Sequence, residues 1–294
     1  MQVEIQSSAV ARFFSATVLK ELAGSGRSPT LARLIKESGM NLDEFSQDKL
    51  SVLFDRAFDL LKFKLNRHEY VYKAALTQKV LLGIHSLNTA SMLTEFRVGP
   101  CKADVVILNG TGTVYEIKSE RDSLTRLEEQ ITAYSKVFAK VNIIVGANHL
   151  KAAMAAVPDY VGVMVLSDRY QVTTMRDAID DASRTSSDAI FEALTQREAA
   201  SILKLAGIEI PKVPNTQSYQ ALRNLFVDLD AGFAHESMVE VLKKTRNLLP
   251  LEALLNELPE SLHTVAIASK LRSKDQSRLV ETLQTPIYKA MCWG

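Results

Sequence analysis

Three side chains between residues 103 and 119 are of kinds that do chemistry together: Asp104, Glu116 and Lys118, in the run Ala-Asp-Val-Val-Ile-Leu-Asn-Gly-Thr-Gly-Thr-Val-Tyr-Glu-Ile-Lys-Ser. Glu116 and Lys118 are two apart in an apolar, β-branched stretch, so a strand pleat sends both to one face and Tyr115 and Ile117 to the other. Asp104 opens the preceding strand, and a hairpin through residues 109–112 returns the chain so that this opening lies beside Glu116 and Lys118. An odd loop, or a bulge at Gly110 or Gly112, puts all three groups on one face; the odd arrangement is expected, because glycine tolerates the backbone angles such loops require. Two converging carboxylates, with the Ile117 carbonyl as a further oxygen, suit Mg²⁺ or Mn²⁺. Such an ion polarises a phosphate, lowers the pKa of a bound water and offsets charge on a leaving oxygen, while Lys118 orients the water or balances charge. The same residues are also compatible with a surface Glu-Lys pair and an edge aspartate.

The elements that must position these groups follow from periodicity. Strands are predicted at residues 93–98, 103–108, 113–119, 141–145 and 161–166, each dense in β-branched or apolar residues. A helix over 67–83 precedes them. A second helix, over 124–139, follows the Glu-x-Lys strand with Leu124, Leu127, Ile131, Tyr134 and Phe138 on one face and Asp122 and Ser123 as its expected caps. This is an α/β core with a mixed sheet in the order α-β-β-β-α-β, plus one further strand.

The flanks read as helical. Predicted helices run through Val10–Leu22 spacing, then 29–36 and 48–65; the pair around Gly39 fits a helix-turn-helix or a plain helical hairpin. Beyond Arg169 strand signals fade, and helices are expected at 187–194, 196–205, 218–225, 236–244 and 251–283. The chain thus divides into a helical region 1–65, a core 66–170 and a helical region 171–294.

An aspartate opening one strand, Glu-x-Lys on the next, then an amphipathic helix and a strand, resembles the PD-(D/E)XK nuclease core, with Ala103 where that pattern has proline. The fuller phrase, Tyr-Glu-Ile-Lys-Ser followed by Asp122, Leu124, Arg126-Leu127, Gln130 and Tyr134, is similar to a bacterial and phage family of nuclease-like proteins. The resemblance covers residues 69–166 and extends weakly into 194–208. It implies a restriction-endonuclease-like fold with Asp104, Glu116 and Lys118 catalytic, and metal held by Asp104, Glu116 and the Ile117 carbonyl. Gln130 and Tyr134, four apart on one helix face, are similar to a pair that sits beside the metal centre in RecB-like nucleases; a core tyrosine with an exposed glutamine is the alternative. The resemblance also implies a further acid from the first core helix, which Glu69 supplies, with Glu95 on the first strand as its competitor.

Phosphate contacts are expected from Arg126, one turn before Gln130, and from Lys73. Lys73 belongs to a basic stretch, Lys62, Lys64, Arg67, Lys73 and Lys79, in which Glu69 is the only acid. Solvated helix faces account for these residues equally well.

Composition bounds the alternatives. With 47% hydrophobic and 23% charged residues and a net charge of +1, the chain is neither disordered nor a uniformly basic nucleic-acid binder. No apolar run approaches a bilayer span, the opening Met-Gln-Val-Glu-Ile-Gln lacks a secretory leader's pattern, and two distant cysteines form no framework, so a reducing cytoplasm is expected. The five histidines show no zinc spacing and no serine stands in a Gly-x-Ser-x-Gly elbow. The expectation is therefore Mg²⁺- or Mn²⁺-dependent phosphodiester cleavage, with DNA as partner, no membrane, and a homodimer if duplexes are cut. The alternatives are a catalytically idle nucleic-acid- or protein-binding module of the same fold in a defence or mobile-element system, and an interaction protein whose helical ends do the main job.

Overall fold

A computed structural model describes residues 5–293. The reading that no leader is present rests partly on Met1–Glu4, which lie outside the described residues. Six strands form one sheet: β1 (Ser91–Val98), β2 (Cys101–Asn109), β3 (Thr111–Lys118), β4 (Lys140–Gly146), β5 (Gly162–Leu166) and β6 (Val172–Arg176). They lie side by side in chain order. β1, β2 and β3 are joined antiparallel, β3, β4 and β5 parallel, and β5 to β6 antiparallel, so the chain is a mixed α/β protein. Each parallel step needs a crossover. The helices Leu127–Ser135 and Leu150–Ala156 supply them, and both pack on the same side of the sheet.

Each face of the sheet is covered. Met92, Val105, Ile107, Tyr115, Ile117 and Ile144 point into a core shared with the N-terminal helices and the last helices of the chain. Val106, Leu108, Val114, Val141, Ile143 and Val145 point into a second core, with the crossover helices and those between residues 187 and 245. Strands buried on both sides read as near-continuous apolar runs, which is why β3 and β4 stand out in the sequence.

The structure corrects several helical expectations. Ser15 interrupts the first helix and caps the next, Ala16–Ser25, by accepting the Val18 N–H. The single helix expected over 251–283 is three, Glu252–Glu257, Glu260–Ser269 and Ser273–Leu283, separated at Pro259 and at Lys270, whose φ is +48°. The helix after β3 begins at Leu127 without a side-chain cap, because Asp122 instead accepts the Ser119 N–H (2.7 Å) and hydroxyl (2.6 Å), closing the turn at the strand's end. The pair flanking Gly39, Pro29–Ser38 and Leu50–Lys62, buries Leu31, Leu34, Leu53 and Phe54 in the shared core. Beyond Arg169, β6 is a sixth strand where none is expected.

Two glycines set the β2–β3 hairpin in different ways. Gly110 stands alone between the partners Asn109 and Thr111 with φ +69°, a conformation glycine adopts without strain. Gly112 is needed for closeness: a Cβ there would lie 2.9 Å from His235 Nε2 and 3.2 Å from Phe138. Gly112→Ala is therefore expected to destabilise the fold by about 1–3 kcal/mol, measured by urea denaturation, whereas a cost near zero would show that His235 moves aside freely.

Arg67, read as one of a basic stretch, is fully buried. Its guanidinium donates to the carbonyls of Lys62 (2.9 Å), Leu166 (3.1 Å) and Ser167 (2.7 Å) and pairs with Glu120, which also accepts the Tyr72 hydroxyl. It ties the segment entering the helix Glu69–Ala75 to the ends of β3 and β5.

Candidate active site

The site begins where β2 and β3 part. Their ladder runs from Asn109 opposite Thr111 to Val105 opposite Tyr115, and one more step sets Asp104 opposite Glu116. No ladder pair is formed at that step. The Asp104 carboxylate instead accepts the Ile117 N–H at 2.8 Å, filling the gap between the strands. The odd hairpin is thus present, with Gly110 as its one central residue.

On the other side of β2, the pairs Thr94–Val105 and Phe96–Ala103 flank Glu95 and Asp104. Glu95 has φ +56°, rare for a residue with a side chain. Such a conformation costs about 1–3 kcal/mol and persists only where its surroundings impose it. The distortion places the Glu95 carboxylate with those of Asp104 and Glu69: one oxygen from each lies within 4.8 Å of the other two. Glu69 comes from the first turn of the helix Glu69–Ala75, so both candidates for the further acid, Glu69 and Glu95, lie beside Asp104.

Glu116 and Lys118 share a face, as the pleat requires, and both are buried. Lys118 Nζ donates to Glu116 Oε1 and to Gln130 Oε1, each at 2.9 Å. The Gln130 amide donates to the same Glu116 oxygen, and the Tyr134 hydroxyl donates to Glu116 Oε2 at 2.8 Å. Gln130 and Tyr134 thus bind the pair from the helix Leu127–Ser135, and every oxygen of Glu116 has a donor.

Burial and then charge crowding govern Asp104. Burial, followed by the carboxylates of Glu116 and Glu69, pushes its pKa up to about 8 against the pull of the Ile117 N–H and Lys73. Lys73 is paired with both Glu69 and Glu95, and Lys102 with Glu95. Burial raises the Glu95 carboxyl, but hydrogen bonds from Lys102 and Lys73 outweigh it and hold the group below its usual range. For Lys73, burial opposes the charge and the two glutamates more than restore it. Three hard oxygens facing one point, offset by ammonium groups, form a donor set that Mg²⁺ or Mn²⁺ would fit in place of Lys73.

Not every expected residue joins the centre. Arg126 is exposed and paired with Glu129, and among the described residues no hydrogen bond or ion pair links it to the site acids. Lys73 is half of an ion-pair cluster rather than a free phosphate donor. Ile117 meets Asp104 through its N–H. Lys102, whose amine pairs with Glu95 and whose carbonyl oxygen lies 3.1 Å from the Tyr134 hydroxyl, escapes sequence reasoning; its position two residues before Asp104 is the only signal. No helix among the described residues is long and apolar enough to cross a membrane.

Comparison with known proteins adds a family. No curated protein matches the chain. Among solved structures, one described as SPO1766 protein of unknown function from Silicibacter pomeroyi is similar at 18% identity, covering 40% of this chain and 81% of that chain with a TM-score of 0.28. A family model described as bacteriophage P4 protein cII matches residues 63–258, which include the whole sheet, both crossover helices and every site residue named above. The chain therefore belongs to the bacteriophage P4 protein cII family.

Proposed function

We propose that the chain is a metal-dependent nuclease of the PD-(D/E)XK type with a restriction-endonuclease-like core, cleaving phosphodiester bonds in DNA. The observation that carries this reading is the neighbourhood at the β2–β3 fork of an acid cluster, Asp104 with Glu69 and Glu95, and the buried Glu116–Lys118 pair, whose glutamate charge acts on Asp104. A bound Mg²⁺ or Mn²⁺ would supply Lewis-acid polarisation of the scissile phosphate and a water of lowered pKa. Asp104, Glu69 and Glu95 would hold it. Glu116 fixes the Lys118 ammonium, which has three N–H donors; two go to Glu116 and Gln130, and the third serves the attacking water or a non-bridging phosphate oxygen. Gln130 and Tyr134 keep this pair in register.

A second reading has its own support: both oxygens of Glu116 are occupied by protein donors, which suits an idle module that keeps the fold and binds without cutting. One experiment separates them. Supercoiled plasmid and linear single strands are incubated with wild type and Asp104→Ala in Mg²⁺, Mn²⁺ or EDTA. Cleavage by wild type in either metal, lost in EDTA and in the variant, is expected; equal cutting by both proteins, or none by either, sinks the nuclease reading.

A further inference from the structure

Beside the acid cluster a second feature faces solvent. A cleft of about 460 Å³ lies between the first helices and the turn after β3, and its wall includes Glu69, one of the three cluster acids. Arg12, Arg121 and Asp122 also line it, with His68, whose charged form burial and the neighbouring Arg121 disfavour. Of the two carboxylates in the wall, Asp122 accepts from Ser119 through one oxygen and Glu69 pairs with Lys73. Arg12 and Arg121 are exposed, and among the described residues neither has a carboxylate partner. Arg121 is held in place: its guanidinium donates to the Leu65 carbonyl at 2.6 Å and lies 3.4 Å from both Ser7 Oγ and His68 Nε2. Those bonds leave part of its five-donor fork for an anion.

The turn that Arg121 grips, Lys64–Asn66, carries a second signature. Leu65 is 85% exposed and Phe63, just before it, 67%. Large apolar side chains in open water on the turn that holds an exposed guanidinium match the two surfaces an unpaired strand offers, a charged backbone and uncovered base faces.

We propose that this cleft is a guide for a single strand of nucleic acid: Arg12 and Arg121 bind the backbone phosphate next to the one at the acid cluster, and Phe63 and Leu65 touch unstacked bases. The assignment rests on the nuclease reading, and both depend on the strand crossing Glu69. A duplex, whose base faces are already stacked, is held through its phosphates alone.

The test is fluorescence anisotropy of a labelled twelve-nucleotide oligodeoxynucleotide, single-stranded or annealed to its complement, in EDTA so that nothing is cut. Wild type is expected to bind the single strand at least ~10-fold more tightly than the duplex. Arg12→Gln with Arg121→Gln should weaken single-strand binding by ~10-fold or more and lower the log–log salt slope by about 0.7 for each phosphate that is no longer neutralised. Phe63→Ser with Leu65→Ser should erase the preference over duplex without changing that slope. Because Arg121 also braces the Leu65 carbonyl, Arg12→Gln alone, on an exposed side chain, carries the test if the double variant does not fold. No single-strand binding by wild type, or unchanged affinity and slope in Arg12→Gln, overturns the cleft. Binding that behaves as expected in a protein that cleaves nothing with Mg²⁺ or Mn²⁺ upholds the cleft and removes the nuclease reading; metal-dependent cleavage with indifferent arginine variants does the reverse.

Discussion

Asp104→Asn is expected to abolish the metal-dependent cleavage proposed for this chain and at the same time to make the metal-free protein more stable than wild type at pH 9. The catalytic loss, on the order of 10²–10³-fold or more, follows from removing one ligand and one charge from the centre. The stability gain follows from linkage. The folded-state pKa of Asp104 is about 8, well above the ~3.9 of an unfolded aspartate, because burial and the charges of Glu116 and Glu69 disfavour its ionised form. The folded protein therefore keeps a proton that the unfolded chain releases. This contribution is fully present below about pH 4 and is lost as pH rises through 8, so wild-type stability declines across that window. Asparagine cannot ionise and can still accept the Ile117 N–H through its amide oxygen. Urea denaturation in EDTA should show the variant gaining on wild type by roughly 1–3 kcal/mol between pH 5 and pH 9, after allowing for relaxation around a partly hydrated carboxylate. Added Mg²⁺ should raise the midpoint of wild type alone, by mass action on the folded state. A variant that is no more stable than wild type at pH 9 would mean that Asp104 is comfortably ionised despite the neighbouring carboxylates.

Glu116→Ala has the larger structural cost. It strands the buried Lys118 ammonium without its carboxylate, takes the acceptor from the Gln130 amide and leaves the Tyr134 hydroxyl only the Lys102 carbonyl. Breaking one partner out of a buried ion pair destabilises by about 3–5 kcal/mol, most of it the penalty of the remaining charge. The double variant Glu116→Ala with Lys118→Met should therefore recover a good part of the loss, giving a favourable coupling when the four proteins are compared by denaturation. Glu116→Gln keeps an acceptor for Tyr134 and should stay folded while losing cleavage. An alanine variant costing under ~1 kcal/mol would show that water already reaches the pair, contrary to its burial.

The five strands predicted from sequence are all present, because β1 to β5 are built from apolar and β-branched runs closed on both faces. The sixth escaped because Val172–Arg176 is a short edge strand, mostly exposed, whose Val-Thr-Thr-Met-Arg run has no apolar face to advertise it. Most helices were legible, but the crossover helix Leu150–Ala156 was not, and helix ends were not: Ser15 and Pro259 stop helices whose apolar spacing continues past them. Within the site, the shared face of Glu116 and Lys118 and the Gln130–Tyr134 pair followed from periods of two and four residues. The Glu69–Glu95 meeting did not, since it depends on a backbone distortion at Glu95 that only the assembled sheet imposes. Likewise nothing local distinguishes the buried Arg67 from its exposed basic neighbours; its three carbonyl acceptors come partly from β5, a hundred residues further along.

The helices before the sheet and the last helices of the chain are wedged into one layer: the Leu50 N–H donates to the Thr285 carbonyl at 2.9 Å, Lys49 bridges Pro286, and Ser273–Leu283 lies along Ala16–Ser25. Biosynthesis gives that seam a timetable. The opening helices emerge from the ribosome first and wait through more than two hundred residues for the partners that close over them. Until those last helices dock, the nascent protein carries an uncovered oily flank beside the proposed site, so this layer closes only after the whole sheet has been synthesised.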